Sequence, residues 1–107
     1  MEVFGQTSKL NRIMSDDALI KKQYGTLSQN IILRRDQLIV AKNLAEIPAK
    51  PEPPRRHNLK SVRKDEFAID VSGNYRLIFK AFDSDDNLTT KPENAVSIMI
   101  TGIEDYH

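Results

Sequence analysis

Four prolines within residues 48–54 (Pro48, Pro51, Pro53 and Pro54) divide the chain into two parts with different hydrophobic periods. Proline has no N–H to donate and a fixed φ, so neither a helix nor an interior strand runs through such a stretch. Before it, apolar residues recur at helical spacing; after it, they alternate with period two. Helices first and strands second define an α+β domain. The expected architecture is an N-terminal helical hairpin packed on a small antiparallel β-sheet, all one domain over residues 1–107.

The helical part carries its own punctuation. Ser15 followed by Asp16 and Asp17 reads as an N-cap with acids in the first turn, where they oppose the helix dipole. Gly25 is placed to stop that helix after Tyr24. Thr26 and Gln29 have capping-box spacing for a longer second helix. Along it Leu27, Ile31, Leu38, Ala41 and Ala45 form a buried stripe, and Ile47-Pro48 ends it. Residues 2–6 are left unassigned between strand and loop by these patterns. In the strand part, Phe67, Ile69 and Val71 alternate with Ala68, Asp70 and Ser72. Gly73-Asn74 predicts a tight hairpin turn into a return strand from Tyr75 to Phe82. A polar loop over 83–94 leads to a last strand over 95–103.

With 39% hydrophobic and 29% charged residues, the composition is that of a globular protein with its own core. No apolar run approaches the ~20 residues that span a bilayer, and the N-terminus has no signal-peptide apolar region. The absence of cysteine rules out disulfides and thiolate metal sites. A cytoplasmic protein with no membrane partner is expected, and Asn87-Leu88-Thr89 reads as a chance sequon. The net charge of +1 hides an asymmetry: residues 1–80 hold 15 Lys and Arg against nine acids, and residues 81–107 hold one Lys against six acids. Contact with a polyanion should therefore be local. Residues 55–64, with five Lys or Arg, one His and no acid, are the place for it.

Two histidines carry the chemistry. His57 sits in Arg55-Arg56-His57-Asn58-Leu59-Lys60, and His107 follows Asp105-Tyr106. Imidazole both takes and gives a proton near neutral pH, and clustered cations stabilise a phosphodiester transition state. The bland readings are a solvated basic surface and an ordinary surface histidine. Arg76 projects from the face opposite Tyr75, Leu77 and Phe79, near Asp70 across the turn. Its two readings are a cross-strand ion pair and a bidentate phosphate contact. Residues 83–87 begin like a calcium loop, but Leu88 and Asn94 break the pattern, which leaves a solvated hairpin loop. His57, Asp105 and His107 also have the composition of a two-histidine, one-carboxylate metal site, with no second shell in the sequence to support it.

The segments NLAEIP (43–48), PPRRHNLK (53–60), FAIDVSGNYRLIFK (67–80) and IEDYH (103–107) resemble, in order and spacing, the RelE/ParE superfamily of bacterial toxins, and most of all its HigB-like branch. The resemblance is specific over residues 43–82 and 102–107; over 7–42 it is one of pattern. It implies a small α+β endoribonuclease from a type II toxin–antitoxin pair, acting on mRNA in the ribosomal A site. A HigA-like antitoxin with a helix-turn-helix would neutralise it. Carried over by position, the catalytic set is His57, Lys60, Arg76, Asp105, Tyr106 and His107, with Arg55, Arg56, Arg63 and Lys64 binding substrate. The implied reaction is attack of the substrate's 2′-hydroxyl on the adjacent phosphate, with no metal and no cofactor, since the nucleophile belongs to the RNA. His57 and His107 would share the roles of base and acid, Asp105 would orient an imidazole or accept a proton, and Tyr106 would stack on a base. Two features depart from the family pattern. The opening MEVFGQ is less basic, and Ser61 stands where glycine often follows the lysine. A ParE-like toxin acting by protein binding, or a member without activity, is the alternative.

Overall fold

The computed structural model describes residues 1–105; Tyr106 and His107 lie outside the described residues. The strands are β1 (Glu2–Gly5), β2 (His57–Asn58), β3 (Glu66–Asp70), β4 (Tyr75–Phe82) and β5 (Ser97–Asp105). The helices are α1 (Ser8–Met14), α2 (Asp17–Tyr24) and α3 (Ser28–Val40). The strands form one sheet in the order β1-β5-β4-β3-β2, with the helices against one face. The α+β expectation holds, and the sheet is mixed rather than wholly antiparallel. β1 pairs in parallel with β5 (Glu2 with Ser97 to Gly5 with Ile100), which makes residues 2–5 of the unassigned stretch a strand.

The expected hairpin is present as α2 and α3, and a further helix, α1, precedes it. α1 begins at Thr7, whose hydroxyl accepts from the Leu10 N–H, and ends at Ser15. The cap of α2 is therefore Asp16, one residue after the expected Ser15. Its carboxylate accepts from the Ala18 and Leu19 N–H groups at 2.9 and 3.4 Å. Gly25 ends α2 as anticipated, at φ 54°, a conformation that an L side chain would strain. α3 stops at Val40, well before Ile47. The Met1 amino group donates to the carbonyls of Leu38, Ile39 and Ala41, taking acceptors that a further helical turn would need. Asn43 then caps a short 3-10 turn at residues 44–46.

The core lies between the helices and the face of the sheet formed by Phe67, Ile69, Leu77, Phe79, Ile98 and Ile100. Ile20, Ile31 and Leu38 reach it from the helices, all fully buried. Phe67 and Phe79 stack across β3 and β4 with ring centroids 5.7 Å apart. The β3–β4 connection differs from the expected two-residue turn. Neither Gly73 nor Asn74 takes a positive φ, which a tight turn of that kind requires. Instead the Val71 N–H donates to the Tyr75 carbonyl, and the Ser72 hydroxyl accepts from the Asn74 and Tyr75 N–H groups. The serine outcompetes the glycine as the turn former. Among the described residues, no helix is long and apolar enough to cross a membrane.

Candidate functional site

The face of the sheet turned away from the helices carries the chemistry-bearing residues. Two cross-strand rows define it. His57, Ala68, Ile78 and Gly102 lie side by side across β2, β3, β4 and β5. Asp70, Arg76 and Glu104 form the next row. The first row is a low floor, because Ala68 and Gly102 have little or no side chain. Over Ala68 and Ile78 of this row lies a cleft of about 70 Å³, lined also by Leu59, Arg63, Arg76, Glu104 and Asp105; His57, at the end of the row, is not in its lining. That volume holds a few waters, and so a phosphate group, but not a whole nucleotide. A larger groove of about 370 Å³ runs along α3 from Leu33 to Pro48, with no His, Lys or Arg in its lining.

A β-bulge decides which residues of β5 reach this face. Ile78 pairs with Gly102 but Phe79 with Ile100, so Thr101 is the extra residue, its hydroxyl donating to the Ile78 carbonyl at 3.2 Å. The phase of alternation reverses there. Ile103 turns to the core and Glu104 to the open face, opposite Arg76.

Arg76 is 5% exposed, and its Nε lies 2.9 Å from Asp70 Oδ1. Its Nη1 donates to the Ser72 and Tyr75 carbonyls. The cross-strand ion pair of the sequence reading is present, and the same guanidinium stands at the cleft wall. Asp70 also takes Arg55, at 3.2 Å. Arg56 leaves the site: its Nε donates to the Ile47 carbonyl in the proline connector, and burial pushes its guanidinium below the ordinary value, with Glu93 opposing the shift. Asp105 ends β5 opposite Tyr75 and lines the cleft.

His57 is half-buried on β2, the outermost strand on its side of the sheet. Its Nδ1 lies 2.9 Å from the Arg55 carbonyl. A carbonyl only accepts, so in the neutral ring Nδ1 carries the hydrogen and Nε2 keeps the lone pair. The Arg55 carbonyl thus orients the imidazole through Nδ1.

Between β2 and β3, residues 59–65 form a loop closed by the Leu59 N–H donating to the Glu66 carbonyl and by side-chain ties from Asn58 and Arg63. The Asn58 side chain donates to the Lys64 and Glu66 carbonyls, both at 2.7 Å. Arg63 reaches the sheet: Nε to Glu66 Oε2 at 2.5 Å, Nη1 to Glu104 Oε1 at 2.8 Å and Nη2 to Glu104 Oε2 at 2.6 Å. This is a two-pronged guanidinium–carboxylate fork. It holds the Arg63 guanidinium above its ordinary value, through Glu104 first and Glu66 second, and holds the Glu104 carboxyl below its own. Lys60 and Lys64 stand exposed on the same loop. Glu66 and Glu104 had no role in the sequence reading; a bulge of the kind that exposes Glu104 leaves no mark in the residue pattern.

Two predictions arise from this loop. Ser61 sits at φ 59°, the left-handed region, where the sequence resemblance places a glycine. The conformation costs an L residue about 1–2 kcal/mol, whereas glycine loses about 0.5–1 kcal/mol more in chain entropy. Ser61→Gly should therefore stabilise the fold by roughly 0.5 kcal/mol, which denaturant unfolding measures. The second concerns pH. The Glu104 carboxyl is depressed in the folded protein, so its contribution is complete above the ordinary glutamate value of about 4.3 and fades as pH falls through the lower folded value. Amide exchange in residues 59–65 should stay flat near neutrality, once corrected for the intrinsic rate, and accelerate only on that acid limb.

No protein-family model matches the chain, and no curated protein does. Among solved structures, it is similar to a YoeB/ParE toxin from Agrobacterium tumefaciens, with a TM-score of 0.57 over 100% of both chains and 9% sequence identity. At that identity the likeness is one of fold.

Proposed function

We propose that the chain is the toxin of a type II toxin–antitoxin pair and an endoribonuclease that cleaves mRNA on the ribosome, in the manner of the HigB-like branch. The observation that carries this reading is His57, held through Nδ1 by the Arg55 carbonyl and paired to Ala68, which lines a phosphate-sized cleft walled by Arg76 and Arg63. The likeness of fold to a toxin and the four segments of sequence resemblance agree with it. In this mechanism His57 Nε2 takes the proton from the 2′-hydroxyl as that oxygen attacks the adjacent phosphorus. The 5′-oxygen leaves with a proton from the acid, a role that falls to the other candidate histidine, His107, and a 2′,3′-cyclic phosphate remains. Arg76, Arg63 and Lys60 stabilise charge on the phosphate, and Tyr106 stacks on a base. The partners are mRNA, the ribosome and a HigA-like antitoxin, in the cytoplasm.

A second reading is favoured by one observation. The three arginines nearest the cleft are each matched to carboxylates: Arg55 and Arg76 to Asp70, and Arg63 to Glu66 and Glu104. A surface so balanced suits a protein-binding toxin that does not cut RNA. Mapping mRNA 5′ ends after induced expression separates the two. The nuclease reading expects new 5′-hydroxyl ends within translated messages, and cleavage of ribosome-bound mRNA in vitro that EDTA, buffered to keep the ribosome intact, does not reduce. Growth arrest with intact messages would favour the protein-binding reading.

A further inference from the structure

We propose that Glu104 is a positioning residue, which fixes Arg63 and the loop 59–65 across the mouth of the cleft so that the remaining guanidinium N–H groups meet a phosphate. The inference rests on the nuclease reading and adds to it a carboxylate with no assigned part in proton transfer.

The geometry supplies three arguments. An arginine has five N–H donors, and here three are committed: one to Glu66 and two to Glu104. Two carboxylates from two different strands fix the guanidinium plane, while one outward N–H on each terminal nitrogen is left for substrate. Second, the loop has little else to hold it. Val62 at its tip is fully exposed, Ser61 is in a strained conformation, and its other side-chain tie to the sheet is Asn58. Third, Glu104 reaches Arg63 only because the bulge at Thr101 rotates β5 by one residue. A bulge next to a cleft, re-aiming one side chain, is a feature with a purpose. The sign of the effect is the decisive point. If Glu104 merely occupied the place of a phosphate, its removal would free Arg63 and improve RNA binding. If it positions Arg63, removal loosens a cation by an ångström or more, which costs about ten- to a hundredfold in rate.

The experiment compares Glu104→Gln, Glu104→Asp and Arg63→Ala in the full chain. Three readouts are used: cleavage of ribosome-bound mRNA, binding of an RNA oligomer with a 2′-deoxy residue at the cleavage position, and amide exchange of Arg63 and Lys64. Glu104→Gln should lower kcat about ten- to a hundredfold, weaken oligomer binding only slightly, and speed exchange of both amides. Glu104→Asp should recover part of each loss, and Glu104→Gln should add nothing in an Arg63→Ala background. Unchanged exchange in Glu104→Gln overturns the proposal, as does tighter oligomer binding with faster cleavage. A wild-type chain that cleaves no RNA overturns the nuclease reading, and the substrate-facing half of the proposal with it. The exchange readout then still decides whether Glu104 orders the loop. Should Glu104→Gln fail to fold, Glu104→Asp with the same readouts takes its place, and full activity with a disordered loop counts against the proposal.

Discussion

Replacing His57 by Ala is expected to lower mRNA cleavage by about 10²–10⁴-fold and leave the protein folded. The two effects separate because the residue is central to the proposed mechanism and structurally peripheral. His57 is half-buried on the two-residue strand β2, paired on one side to Ala68. The Ala variant keeps that backbone pairing and loses the Nδ1 bond to the Arg55 carbonyl, a net cost of about 0.5–1.5 kcal/mol. His57→Asn sharpens the test. Its amide can still donate to the Arg55 carbonyl, but it cannot accept a proton near neutral pH. It should be as inactive as Ala and nearly as stable as wild type. Growth arrest on induction, followed by 5′-end mapping, measures the activity, and thermal unfolding measures the fold. Cleavage at the wild-type rate in either variant rules out His57 as the base.

The second large effect is on stability and lies far from the cleft. Gly5→Ala is expected to cost about 3 kcal/mol, the upper part of the range for overpacked sites. A Cβ on Gly5 would collide with the Asn11 nitrogen and stand 2.6 Å from both the Asn11 Cα and the Leu10 carbonyl carbon. All three are backbone atoms of α1, so no rotamer change relieves the contact. The approach is also anchored, because the Asn11 side chain accepts the Gly5 N–H at 2.9 Å. Either β1 moves off α1 or the helix start unwinds. For a domain of this size the loss corresponds to a fall in Tm on the order of 15 °C. Gly73→Ala is the matched control, since a Cβ there meets nothing within 4 Å and its φ is not positive. Equal melting temperatures for the two variants would show that β1 yields easily.

What the sequence disclosed follows the range of each interaction. Local signals read well: the stop at Gly25, the return strand at residues 75–82 and the solvated loop closed by the Asp83 carboxylate. The end of α3 was illegible because its cause is Met1, some forty residues away along the chain. The parallel edge strand β1 was hidden for the same reason, its partner being β5. At the candidate site, Arg76 beside Asp70 was foreseeable from the hairpin register. Arg63 bound by Glu66 and Glu104 was not, because strict alternation along β5 puts Glu104 on the core side until the bulge at Thr101 reverses it. The orientation of His57 depends on a backbone carbonyl two residues earlier, which no pattern of side chains encodes.

The order β1-β5-β4-β3-β2 places the strand synthesised last between the one synthesised first and the rest. β3 and β4 are neighbours in sequence and can pair as a hairpin while the chain is still growing. β1 has no strand to bind until residues 97–100 are available, and closing so long a loop is slow. β5 also brings Ile98 and Ile100 to the core and Glu104 to the cleft. Core and cleft are therefore completed in the same late step. A chain whose residues 97–105 are not yet available has neither the finished core nor the finished cleft.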